Sequence, residues 1–120
     1  MTYKITRMKS LLLALFLTVP SAAVAAYDVD AGVIDIIEVE AKKDHQALQI
    51  SFGEKKGNKF CNDPSAQFVD NAYLASTSDN YDAILSVALS AYMAGSKVSI
   101  YTEYDSSEGH RCIIKKIRLL

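Results

Sequence analysis

Between Asn80 and Ala94 the apolar positions are Tyr81, Ile84, Leu85, Ala88, Leu89, Tyr92 and Met93. Steps of three and four place them on one stripe of a helix, and the pattern predicts that this stripe faces the core. Ser78 or Asp79 stands where a side chain accepts the first orphan N–H bonds. Asp79 and Asp82 complement the positive end of the helix dipole, and Gly95 suits the left-handed residue that closes a helix. On either side the period falls to two. Val98 to Tyr104 alternates and is rich in β-branched and aromatic residues, which predicts a strand. Asp105 to Gly109 reads as a turn, and Cys112 to Leu120 as a last strand with Ile113, Ile117 and Leu119 on one face. Before the helix, Gly32 to Ala41 predicts a first strand, with a bulge or bend at the Ile36–Ile37 doublet. Leu48, Ile50 and Phe52 mark a second strand after the turn at Lys42 to His45. A polar loop follows from Gly53 to Pro64, and Phe68 to Ser76 is the third strand.

The order is β-β-β-α-β-β. One helix between the third and fourth of five strands predicts a mainly β protein, a β-barrel with one helix, of OB-fold type. An open sheet with the helix laid on one face is the alternative arrangement. The first residues stand apart from this plan. Lys4, Arg7 and Lys9 precede a nearly continuous apolar run from Leu11 to Val19, and Ser21 to Ala26 is rich in small residues. That succession is the pattern of a secretory signal peptide, and the run is too short for a stable membrane anchor. The expected division is residues 1–26 as leader and 27–120 as one exported domain, periplasmic or secreted, with no membrane insertion of the mature chain. Removing the leader takes three of the 13 basic residues and none of the 14 acidic ones, so the net charge moves from -1 to -4.

Export changes the meaning of Cys61 and Cys112, the two cysteines. In an oxidising compartment such a pair is expected to form a disulfide. Closing a loop of this length stabilises by about 4 kcal/mol in the chain-entropy model. The rival, a metal site built on His110-x-Cys112, has too few further ligands within reach, and neither metal nor cofactor is expected. Catalysis has no motif to carry it. His45 and His110 sit in predicted turns and read as surface histidines. Glu38 and Glu40 read as a solvated strand face, and Ser86, Ser90 and Ser96 lack the surroundings of a nucleophile. Nucleic acid is not expected as a partner, because phosphate binding needs a positive groove and the exported chain is acidic. Lys55, Lys56 and Lys59, and Lys115, Lys116 and Arg118, form only small basic clusters.

The helix and the strand after it carry a resemblance. Tyr81-x3-Leu85 with Tyr92, then Gly95-x-x-Val98-x-Ile100-Tyr101, and Gly32-Val33-Ile34 in the first strand resemble the binding subunits of subtilase cytotoxin and typhoid toxin. The resemblance implies a secreted bacterial OB-fold protein, a homopentameric ring, binding to a cell-surface glycan and docking of an enzymatic partner chain. Those subunits place a sialic-acid-contacting serine before the first-strand glycine, where this chain has Ala31, and a second tyrosine where it has Thr102. With these departures the resemblance does not carry over sialic acid, and a different glycan or no glycan stays open. Tyr101 and Thr102 are candidate ligand contacts from it, and Asp30 is a candidate acceptor of sugar hydroxyls. Tyrosine suits such a role because it offers a flat apolar face and a hydroxyl. The alternative is a stand-alone periplasmic module, without a ring, that binds a protein or small ligand.

Overall fold

A computed structural model of the chain describes residues 27–53 and 59–120. The expected leader, together with Lys55 and Lys56, lies outside the described residues. The protein is mainly β, with one helix and six strands: β1 (Asp28–Val33), β2 (Ile36–Val39), β3 (Leu48–Ser51), β4 (Asn71–Leu74), helix α1 (Tyr81–Ala94), β5 (Lys97–Asp105) and β6 (Arg111–Leu119). The strands form one sheet in the order β1-β5-β6-β4-β3-β2. All neighbours are antiparallel except β4 and β6, which meet in parallel at Tyr73 and Ile113.

The expected first strand is two strands. The chain pairs with β5 up to Val33, turns at Ile34 and Asp35, and pairs with β3 from Ile36. The two outer strands of the sheet are thus consecutive in the chain. The predicted barrel is corrected in one respect: among the described residues no ladder joins β1 to β2, so the sheet does not close. The bend also falls just before the Ile36–Ile37 doublet. Ile34 is buried at the corner, while Gly53 passes close beside it with a positive φ of 73°. A Cβ on Gly53 would stand 2.6 Å from the Asp35 carboxylate, so both conformation and space require glycine there.

The core collects the inward positions of the strands. Leu48, Ile50, Val98, Ile100 and Ile114 are essentially inaccessible to solvent, and each such side chain contributes about 1.5–3 kcal/mol by leaving water. The helix closes over them with Ile84, Ala88 and Ala91. Two alanines in that row let its backbone approach the sheet. The predicted stripe is corrected here: Leu89, Tyr92 and Met93 remain exposed, and Ala91, absent from the pattern, is buried. Asn80 precedes the helix and gives it no side-chain cap, so neither Ser78 nor Asp79 fills that role. Gly95 closes it as expected, left-handed at φ 64°, with its N–H directed at the Ala91 and Tyr92 carbonyls.

The third strand is shorter than predicted, because Phe68 takes a positive φ of 50° and the strand begins only at Asn71. The segment before it is irregular yet firmly tied. Cys61 and Cys112 form a fully buried disulfide with a Cα–Cα distance of 5.5 Å. The Phe60 N–H donates to the Val69 carbonyl at 2.8 Å, and the Gln67 N–H to the His110 carbonyl at 2.8 Å. No helix among the described residues is long and apolar enough to cross a membrane.

Candidate binding surfaces

Directly opposed residues of an antiparallel pair point to the same side of the sheet. Asp30 opposes Ile100 and Asp28 opposes Thr102, whereas Val29 opposes Tyr101. The register therefore divides the three predicted contact residues. Asp30 and Thr102 lie on the inner face and Tyr101 on the outer one. Thr102 is wholly buried, and its hydroxyl donates to the Phe60 carbonyl, so the structure gives it a place in the core. One oxygen of Asp30 accepts from the Ala31 N–H at 2.8 Å, and the other is buried without a hydrogen-bond partner. Tyr101 is half-buried beside Val29, with the Lys116 ammonium 4.8 Å from its ring centre. That cation–π contact occupies part of the aromatic face that a ligand would use.

A second group gathers where the β5–β6 turn meets the start of β3. His45, expected at the surface, has only 12% of its side chain exposed. It packs against Tyr73 edge-to-face at 6.0 Å and lies beneath Gly109, where an added Cβ would come within 2.7 Å of the imidazole. Its Nδ1 is 3.6 Å from Glu108 Oε2. His110 is exposed, with a positive φ of 57°, and its Nδ1 lies 2.5 Å from the Tyr104 hydroxyl. Cys112 is consumed by the disulfide, so the His110-x-Cys112 pair has no thiolate to offer a metal. The Arg111 guanidinium donates to the Gly109 carbonyl at 2.6 Å and to the Gln67 side chain at 3.0 Å. It also lies 4.6 Å from the Phe68 ring centre. Burial pushes the Tyr73 phenol above its ordinary pKa, and the Arg111 charge partly opposes this. These contacts bind the irregular 59–70 segment to β6.

At the same turn Asp105 Oδ1 accepts from both the N–H and the hydroxyl of Ser107, at 2.9 and 2.6 Å. The hydroxyl bond is the main reason that its carboxyl is held below the ordinary carboxylate range.

The third surface is apolar. Among the described residues strand β2 pairs on one side only, and beside it runs the exposed flank of α1. Asp35, Ile36, Ile37, Val39, Leu89 and Tyr92 line a groove of about 470 Å³ between the two. Ile36, Val39, Leu89 and Tyr92 are each between 43% and 57% exposed, and Met93 beside them is 86% exposed. Leu89, Tyr92 and Met93, expected in the core from the helical stripe, are part of this surface. The signal for the edge side was the Ile36–Ile37 doublet, because adjacent apolar residues in a strand must face opposite sides. The other outer strand also carries exposed apolar side chains, Val29 and Val33.

A family model described as a family of unknown function, DUF5992, matches residues 8–117. Neither the curated proteins nor the solved structures include a match to this chain.

Proposed function

We propose that this chain, which belongs to the DUF5992 family, is an exported, non-enzymatic binding module that assembles with copies of itself. One observation carries the reading: Ile36, Val39, Leu89, Tyr92 and Met93 are exposed on strand β2 and the neighbouring flank of the helix, and among the described residues the outer edge of β2 has no strand partner. A strand edge with hydrophobic neighbours is a template for association, and natural monomers usually blunt it. A ring further requires one patch to meet a different patch on the next copy, so that rotation closes. The β1 edge, with Val29 and Val33 exposed, supplies that second patch.

In the form that the toxin resemblance suggests, five copies present repeated glycan sites on one face, with Tyr101 as a contact, and an enzymatic partner chain docks on the ring. Repetition would turn weak single-site binding into high avidity. Export rests on the N-terminal pattern of basic, apolar and small residues, a region the family match largely takes in. The test is the native mass of the oxidised protein by light scattering at micromolar concentration. A mass near five protomers that falls to one in Tyr92→Asp is the expected result. A monomer at all concentrations would overturn assembly and favour the stand-alone module, with the same flank meeting a different protein.

A further inference from the structure

We propose that the cavity at the N-terminal end of α1 binds a small zwitterion with an apolar side chain, the chemistry of a free α-amino acid. The inference does not depend on self-assembly. The cavity lies between the β4–α1 connection, the helix start and the β5–β6 turn, and encloses about 310 Å³. That is at the lower end of the range for ligand pockets and suits a molecule of a few heavy atoms. Its floor is apolar, made by Ile84, Ile113 and Ile114, all buried.

Its charged lining is divided. Asp105 and Glu108 enter from the turn, with one oxygen of Glu108 3.6 Å from His45 Nδ1. Asp105 is held in place by its two bonds from Ser107. Lys115 and Asn80 also line it, and with Asn80 comes the start of the helix, the positive end of its dipole. Lys115 is there because of a bulge. Tyr101 pairs with Lys116 and Thr102 with Ile114, so Lys115 is the extra residue, left out of the ladder. A bulge turns a side chain away from the alternation of its strand, which is how Lys115 comes to line a cavity floored by its neighbours Ile113 and Ile114.

The lining selects by charge. A simple anion would face two carboxylates, and a simple cation would face Lys115 and the helix start. A purely apolar molecule would take water from Lys115 and the two carboxylates and return no polar contact, which is costly. A zwitterion satisfies both ends: its ammonium is received by Asp105 and Glu108, its carboxylate by Lys115, and its side chain rests on the isoleucine floor.

The test is a titration of the oxidised protein with free leucine, leucinamide and N-acetyl-leucine, followed by amide NMR shifts. Saturable shifts with free leucine at Ser78, Asn80, Ile114 and Lys115 are expected, with both derivatives weaker by on the order of tenfold or more, the size of one lost charged hydrogen bond. Lys115→Met and Glu108→Gln should each weaken free leucine by a similar factor while leaving the melting temperature unchanged. No saturable shift at millimolar leucine would overturn the proposal. Equal binding of either derivative would also overturn it. Should a variant fail to fold, the comparison of the three ligands on the unchanged protein still decides. Native mass is measured separately, so failure of this site and failure of assembly are distinguishable.

Discussion

Thr102 and Met93 reverse the usual rule. The polar Thr102 is completely buried, while the apolar Met93 is 86% exposed. The irregular 59–70 segment lies against Thr102, and a disulfide, the hydroxyl bond to Phe60 and the ties of Arg111 hold it shut. Around Met93 the chain is a regular helix, and none of the described residues is laid over its flank. Burial therefore follows what the tertiary fold places on top of a residue, and hydropathy only biases the choice. The clamped side is built for stability. The open side has apolar surface that intramolecular packing does not use.

The largest break in this comparison is the disulfide. Replacing Cys61 and Cys112 by serine should destabilise by about 4 kcal/mol in the loop-entropy model, read as a shift of the urea midpoint. The same treatment with reductant should reproduce it. Thr102→Val comes next. It strands the buried Phe60 carbonyl and should cost about 1–3 kcal/mol, or several degrees in melting temperature for a domain of this size. Thr102→Ser, which keeps the hydroxyl, should lose less. If Thr102→Val melts like the unchanged protein, the hydroxyl bond contributes nothing and the clamp is the disulfide alone.

On the open side the effects on stability should nearly vanish. Tyr92→Asp and Met93→Asp are expected to stay within about 0.5 kcal/mol, as surface substitutions do, while lowering the native mass. A large loss of stability without change of mass would make the flank part of the core. Tyr101→Ala should likewise weaken ligand binding and leave melting nearly unchanged.

The smallest effect concerns acid. Ser107 lowers the pKa of Asp105 in the folded state. The ionised carboxylate thus adds stability that is present above its unfolded value of about 4 and is lost as pH falls through the lower folded value. Asp105→Asn should flatten that limb of the stability–pH curve.

What was legible in the sequence is what local period and residue chemistry encode. The single helix among strands, the Gly95 stop, the turn before β6 and the pairing of Cys61 with Cys112 all follow from spacing, backbone freedom or the presence of just two cysteines. The site residues were less legible. Tyr101 and Thr102 are adjacent, and adjacent strand residues face opposite ways, so register separated a pair that a motif treats as a unit. His45 looked exposed because its neighbours are charged, but the distant Gly109 covers it. The helix stripe named apolar positions without saying how much of it the sheet could cover. That width is set by the curvature of the sheet and by where β2 ends, both long-range properties. Lys115 belongs in the same class, because only the mismatch between β5 and β6 turns it into the cavity. The sequence by itself determined the helix, the approximate places of the later strands and which side chains can bond covalently. The tertiary structure alone decided which apolar side chains found cover and which polar ones met, because those outcomes depend on segments far apart in the chain.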